Sequence, residues 1–147
     1  MLNYTTKVPA HQSIAEISRM LAKAGAKAVM QEYDDDGTVK SLSFSLLFNG
    51  NTIGFRLPVN WQAIQSILID IRRKNTKLER RIVEQEHAVD VAWRVIKDWV
   101  EAQLALIEAN QVKIEQVFLP YAITEQGTTL YEQIASDPRL LQGGNRS

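Results

Sequence analysis

The chain contains no cysteine. This absence excludes disulfide frameworks, thiolate metal sites and cysteine nucleophiles, and it is typical of proteins in a reducing compartment. No apolar run approaches the roughly 18 residues of a membrane-spanning helix, and residues 1–9 lack the basic and apolar regions of a signal peptide. We therefore expect a cytoplasmic protein that does not insert into a membrane.

The chain also has no excess of charge of either sign, since 17 basic residues balance 17 acidic ones. This balance does not hold locally. Residues 72–81 contain six of the basic residues and one of the acidic ones, which leaves 11 basic against 16 acidic residues in the rest of the chain. A positive patch on a negative body indicates a contact surface more than a protein that is basic throughout.

No arrangement of residues typical of an enzyme can be found. The sequence has no Ser, His and acid combination, no glycine-rich phosphate loop and no metalloprotease helix motif. Glu84, His87 and Asp90 lie on successive turns of a predicted helix and can offer three metal ligands, but one histidine among carboxylates is a weak zinc signal. Residues 34–37, three aspartates and a glycine, predict a hairpin turn, because the later ligands of a calcium loop are missing. We predict a non-enzymatic protein without cofactor or metal.

Length and composition indicate one α+β domain. A chain of 147 residues with 45% hydrophobic residues can bury a core of its own. We expect residues 1–147 to form a single domain, with a sheet half at 1–59, a helical half at 60–135 and a disordered tail at 142–147.

The first half is expected to form a mostly antiparallel sheet with one helix, in the order β-α-β-β-β. Alternating apolar and polar residues predict a first strand over residues 2–8. Ser13 followed by Glu16 forms a capping box that predicts the start of a short amphipathic helix, and Gly25 predicts its end.

Three further strands are predicted over residues 26–33, 39–48 and 53–57. The last two are joined by Asn49 and Gly50, which tolerate the positive φ angles of a two-residue type I′ hairpin turn. Because successive side chains of a strand point to opposite faces, one face of this hairpin is apolar and the other carries serines.

The second half is expected to be helical. Asn60 predicts the N-cap of a helix that ends or kinks near Lys74 and Asn75. From residue 76 onward the sequence contains neither glycine nor proline before Pro120, which predicts a straight or kinked helix of about 40 residues, or about 60 Å. A capping box at residues 129–132 predicts a short last helix.

This long helix carries two apolar stripes where a surface helix needs one. Because one domain cannot easily bury both stripes, we predict that the second meets another copy of the chain, most simply in a two-fold dimer. The interface residues predicted from these stripes are Trp93, Val95, Ile96, Trp99 and Leu106.

The basic cluster is the strongest functional signal in the sequence. If the helix runs through it, Arg73, Lys77 and Arg80 or Arg81 share one face and can span successive phosphates. The alternative is a solvated helix junction that pairs with acids elsewhere. We predict phosphate or nucleic-acid contacts from Arg72, Arg73, Lys77, Arg80 and Arg81.

A second candidate surface lies on the serine face of the sheet. Arg56 follows Gly54 there and faces Ser43 and Ser45 on the neighbouring strand, so space is available for a small ligand or a partner loop. Arg56 can supply bidentate contacts to an anion. The alternative is an ordinary solvent-facing sheet with one arginine.

Several segments together carry a resemblance to known sequences: residues 91–103 (VAWRVIKDWVEAQ), 117–121 (VFLPY), 129–132 (TLYE), 3–6 (NYTT) and 22–28. On these segments the sequence resembles a family of uncharacterised phage and prophage proteins of about 150 residues. It implies a small phage accessory protein in the host cell cytoplasm that acts on nucleic acid, nucleotides or host machinery. It implies no catalytic residues.

Two functions follow as hypotheses. The first is a non-enzymatic binding protein that uses the basic helix junction to contact a phosphate-bearing partner, nucleic acid. The second is a module that counters a host system, either by binding a host protein or by sequestering a small nucleotide signal.

Overall fold

The computed structural model describes residues 4–143 and has an α+β fold. Its helices and strands, in chain order, are α1 (Ala10–Lys23), β1 (Ala28–Tyr33), β2 (Val39–Phe48), β3 (Asn51–Pro58), α2 (Trp61–Lys74), α3 (Gln85–Glu108), α4 (Ile114–Phe118) and α5 (Leu130–Ser136). Short 3-10 helices follow at Arg80–Val83, Leu119–Tyr121 and Pro138–Leu140.

The three strands form one antiparallel sheet in the order β1-β2-β3. Asn49 and Gly50 connect β2 to β3 with φ angles of 51° and 80°, as the hairpin prediction required. Phe44 lies opposite Phe55 on the apolar face, and the two rings stack with centroids 5.3 Å apart. The predicted hairpin and its two faces are therefore confirmed.

The predicted first strand is wrong for the residues that the structure describes. Residues 4–5 form a turn and residues 6–9 have no regular structure, while residues 1–3 lie outside the description. The outer edge of β3 is instead occupied by the chain's own C-terminal part, since Phe55 forms a bridge with Ala122. The N-terminal segment therefore does not extend the sheet at this edge, and the observed order begins with a helix.

Helix α1 begins earlier than its sequence pattern predicts. Its N-cap is Pro9, and the predicted capping residue Ser13 is fully buried inside the helix. The Oδ1 atom of Asp90, from α3, accepts a hydrogen bond of 2.8 Å from the backbone N–H of Ala10. A distant carboxylate therefore replaces the predicted capping box of Ser13 and Glu16.

Helix α2 follows its prediction closely. The side chain of Asn60 accepts a hydrogen bond from the backbone N–H of Ala63, and the helix ends at Lys74. Residues 75–79 then form a loop, so the junction is a break in the helix and not a kink.

The prediction of a helix of about 40 residues is wrong. Helix α3 has 24 residues, which corresponds to about 36 Å. Its C-terminus is stopped by Asn110, whose φ of 59° is left-handed, with backbone bonds from Asn110 to Ile107 and from Gln111 to Leu106. These two bonds form a Schellman motif, which asparagine can close in place of glycine.

Helix α3 is covered on two sides by its own chain. One side joins the sheet and α1 in the main core, where Trp93 and Val100 are fully buried. The other side packs on α2, where Ala88 and Val91 are buried with Leu68. The first stripe and the N-terminal part of the second are thus covered within one chain, whereas Ala102 and Leu106, at the C-terminal end of the second stripe, are exposed.

The C-terminal part passes from the apolar face of the sheet to the serine face. Phe118 is buried against Phe44 and Trp99 on the apolar side. The chain then crosses the β3 edge at Ala122, and α5 begins with the predicted capping box, in which Thr129 and Glu132 each hydrogen-bond the other's backbone N–H. Of the predicted disordered tail, residues 144–147 lie outside the description.

Candidate phosphate-binding site

The basic loop, residues 72–81, connects α2 to α3. Arg72, Arg73 and Lys74 occupy the last turn of α2, residues 75–79 form the turn, and Arg80 opens a 3-10 helix. The loop is shaped locally by a backbone bond of 3.2 Å from Leu78 to Asn75. Because the helix stops at Lys74, the prediction that these cations share one helical face is wrong, and they are grouped by the loop instead.

Three of the five predicted phosphate ligands already have partners in the chain. Arg72 donates to the carbonyl of Leu78 at 3.3 Å, and Arg73 pairs with Asp70 at 3.3 Å. Arg81 pairs through Nε with Glu79 at 2.9 Å. The Arg73 pair is solvent-exposed on both sides and therefore contributes little to stability.

Three cations of the basic loop have no partner in the described part of the chain. Lys74, Lys77 and Arg80 are exposed, and within residues 4–143 their side chains make no hydrogen bond or ion pair. Basic residues in the last turn of a helix are stabilised by the helix dipole, which explains why a positive charge at Lys74 is favourable without an ion pair. The dipole does not account for Lys77 and Arg80, because both lie beyond the end of α2.

A buried histidine, which the sequence pattern did not connect with the basic loop, holds one of its arginines. His87, 4% exposed, lies in the first turns of α3, and its Nδ1 atom is 3.0 Å from Nη1 of Arg81. Its Nε2 atom hydrogen-bonds the backbone carbonyl of Tyr4. The Tyr4 contact spans 83 positions, so no local spacing could have revealed it. Arg81 is only six positions from His87, but the two residues lie in different helices with a break between them, which the predicted continuous helix did not contain.

The site predicted around Arg56 is already filled by the chain's own loop. Arg56 donates from Nη1 to the carbonyl of Gly127 at 3.0 Å and pairs with Glu32 at 3.7 Å. Ser43 is buried and Ser45 is half-buried. A Cβ atom added at Gly54 would lie 3.3 Å from Cδ1 of Ile123, so the space above that glycine holds Ile123.

An open groove remains beside Arg56. It measures about 540 Å³ and combines two cations, two carboxylates and two tyrosines. Hydrogen bonds from Thr129 lower the pKa of Glu132, and the nearby charge of Arg56 lowers it further. The groove is lined by Glu32, Lys40, Ser41, Arg56, Tyr121, Thr129, Tyr131 and Glu132.

The predicted interface residues differ in exposure. Trp93 is fully buried within the chain, so its side chain cannot contact a partner in this fold. Val95, Ile96 and Trp99 are half-buried, and Leu106 is 44% exposed near the end of α3. These residues therefore do not form one continuous exposed stripe.

The three residues weighed as metal ligands do not form a metal site. Glu84 is exposed, both ring nitrogens of His87 have hydrogen-bond contacts, and Asp90 caps α1. Within residues 4–143, no group of three or more histidine, aspartate or glutamate side chains is placed to hold a metal ion. The aspartates at 34–36 form the predicted turn, and Asp36 accepts a bond of 3.0 Å from Gln85.

Among the helices described, none is long and apolar enough to cross a membrane. Comparison of the chain with protein-family models, curated proteins and solved structures found no match.

Proposed function

We propose that this protein is a non-enzymatic, phage-type accessory protein that binds nucleic acid through the phosphate backbone, using the basic loop. One observation carries the proposal. Lys74, Lys77 and Arg80 are exposed within seven consecutive residues, and no acidic side chain in the described part of the chain pairs with them. A group of free cations in one loop favours contacts to phosphates that are themselves closely spaced.

The charge of the remaining chain supports a fixed orientation on the nucleic acid. Outside residues 72–81, acidic residues outnumber basic ones by 16 to 11. The acidic body is repelled by phosphates while the basic loop is attracted, so the loop faces the nucleic acid. Lysine and arginine contacts to phosphate carry no sequence information, and the proposed binding is therefore independent of base sequence.

The number of free cations gives the expected salt dependence. Three phosphate contacts predict a slope of about −2.7 for the logarithm of the association constant against the logarithm of salt concentration. Affinity for duplex DNA should therefore fall about 40-fold between about 50 mM and about 200 mM salt.

Charge reversal with a matched control tests the proposal. The variant Lys74→Glu, Lys77→Glu, Arg80→Glu should bind a labelled duplex of about 20 base pairs at least about tenfold more weakly, with a slope near zero. The control Arg19→Glu, Lys23→Glu, Lys27→Glu makes the same charge change on α1 and the residues that follow it, where the side chains are also exposed. Equal affinities and slopes in the two variants would refute the basic loop as the contact surface.

The groove beside Arg56 favours a second candidate, the sequestering of a small nucleotide. Lys40 is exposed at its rim, and Tyr131, 64% exposed, offers a ring for stacking. A nucleotide that binds there should raise the melting temperature in a concentration-dependent way, and Lys40→Ala should remove the increase. An unchanged melting temperature across mono- and dinucleotides would exclude this function.

A further inference from the structure

We infer that the contact between His87 and Arg81 is a proton-operated clasp: while His87 is neutral its ring accepts a hydrogen bond from Arg81, and when the ring gains a proton it releases Arg81 for contact with phosphate. The clasp itself rests on the contacts of His87. Its consequence for binding rests on the function proposed above.

The partners of His87 define the state of its ring. An arginine guanidinium only donates hydrogen bonds, so Nδ1 of His87, 3.0 Å from Nη1 of Arg81, acts as the acceptor. The carbonyl of Tyr4 only accepts, so Nε2 carries the proton. The contacts therefore match a neutral imidazole with its proton on Nε2.

A second proton is incompatible with this arrangement. Protonated Nδ1 would face a guanidinium N–H, which places two donors and two positive charges together at a residue that is 4% exposed. The Tyr4 contact survives protonation because Nε2 still donates. The bond that must break is therefore the one to Arg81.

The charged groups around this contact favour the release of Arg81 to the loop. Arg81 remains paired with Glu79, which is itself part of the basic loop. The Arg81 side chain is already 33% exposed, so it can reach solvent without opening the core. From α2, Arg72 donates to the carbonyl of Leu78 and does not compete for the ring.

Charges on α3 and at the N-terminal segment complete the surroundings of His87. Glu86 and Asp90 lie on its own helix, and Asp90 interacts electrostatically with His87 and with His11 of α1. Lys7, on the N-terminal segment, is exposed. These carboxylates oppose the charge of a protonated ring, whereas Arg81 is the cation in direct contact with it.

Once it is released by His87, Arg81 is paired only with Glu79, a partly exposed pair that a phosphate can replace, so Arg81 can join the three unpaired cations as a fourth phosphate contact. A phosphate bound there favours the state in which Arg81 is free, and that state has a protonated His87. Binding of nucleic acid must then be accompanied by proton uptake, so affinity rises as pH falls.

The ring and its partner can be observed directly by NMR between about pH 7.5 and about pH 5.5, where histidines titrate. The chain has two histidines, and the variant His11→Gln identifies the signals of His87. At the higher pH, the His87 proton should be on Nε2; on acidification, the signals of His87 and of Arg81 Nε should change together. A proton on Nδ1 at neutral pH, or titration of His87 without a change at Arg81, would overturn the clasp.

Binding to the labelled duplex tests the consequence. The wild-type chain should bind about tenfold more tightly at about pH 5.5 than at about pH 7.5. The His87→Gln side chain can donate and accept without titrating, and should lose this gain; Arg81→Gln should lose it as well. His11→Gln should retain it, since His11 is exposed and makes no contact with Arg81.

The outcomes separate the two proposals. If the wild type binds no DNA at either pH, the proposed function fails, and the NMR measurement alone decides the clasp. If the wild type binds and both His87→Gln and Arg81→Gln keep the full pH dependence, the regulatory inference is overturned while the proposed function stands.

Discussion

The carboxylate of Asp90 caps helix α1 although the two lie 80 positions apart along the chain: its Oδ1 atom is 2.8 Å from the backbone nitrogen of Ala10. Pro9, at the N-cap position, has no side-chain group that can accept this hydrogen bond. Asp90 therefore provides a cap for α1 and, at the same time, ties α1 to α3.

Two substitutions of Asp90 should distinguish the contribution of its hydrogen bond to stability from the contribution of its charge. Asp90→Ala removes the acceptor and should lower the free energy of unfolding by about 1 kcal/mol, as loss of a cap does. Asp90→Asn keeps an oxygen acceptor and should cost less. Urea unfolding of the two variants at neutral pH measures both effects; equal losses would show that the charge, and not the hydrogen bond, is what α1 needs.

The pH dependence of the same pair gives a second prediction. Desolvation by burial raises the pKa of Asp90, partly offset by the hydrogen bond from Ala10. For a carboxyl whose folded pKa is raised, the stabilising contribution is present below the unfolded pKa and is lost as pH rises through the folded pKa. The wild type should therefore gain stability relative to Asp90→Asn on acidification, and a constant difference would contradict the raised pKa.

Ser13 offers a stabilising substitution. Its Oγ atom is buried in α1 and has no hydrogen-bond partner in the part of the chain described. Ser13→Ala removes this unsatisfied group and favours the helix, so the free energy of unfolding should rise by about 1 kcal/mol. Ser18→Ala in the same helix is the matched control, because its Oγ donates to Ile14 at 2.9 Å and its loss should bring a smaller gain or a cost.

A small residue at position 54 should be required for the chain to pass over the serine face. Its carbonyl accepts a bond of 2.8 Å from Ile123, whose side chain lies directly above it. Gly54→Ala should be tolerated because the end of the Ile123 side chain can move, whereas Gly54→Val should destabilise by about 1–3 kcal/mol. Adding Ile123→Ala should recover part of the loss in a double-mutant cycle; strict additivity would show that the two residues do not compete for space.

Asn110 should determine where α3 ends. Its φ of 59° is favourable for glycine and tolerated by asparagine, but it is costly for alanine and most other residues because their Cβ atom approaches the following carbonyl oxygen. Asn110→Ala should therefore lower the free energy of unfolding by about 1 kcal/mol, while Asn110→Gly should preserve or raise it. Thermal unfolding of both variants, with the exposed Gln111→Ala as control, checks this; an unaffected Asn110→Ala would mean that the helix end is set elsewhere.

Features that depend on neighbouring residues were predictable. The Asn49–Gly50 turn, the Asn60 cap and the capping box of Thr129 with Glu132 each involve residues within a few positions, and each was confirmed. Local chemistry is enough in these cases because the side chain satisfies a backbone group of its own turn.

The same local rules failed where a distant group supplied the better partner. Ser13 and Glu16 match a capping box, but Asp90 caps α1 instead. Absence of glycine and proline predicted a continuous helix after residue 76, but Asn110 takes the left-handed conformation that ends α3. A residue that can adopt several conformations does so according to its surroundings, and these are not visible in the spacing.

The sequence by itself determined the α+β class, the β2–β3 hairpin, the helix starts at Asn60 and Thr129, and the concentration of positive charge in residues 72–81. The tertiary structure alone decided that Arg56 is engaged and that the ring of His87 is held in place, since the Arg56–Gly127 bond spans 71 positions and the His87–Tyr4 bond spans 83. Local patterns report backbone conformation over a few residues. Contacts across the fold exist only once hydrophobic burial has brought the elements together.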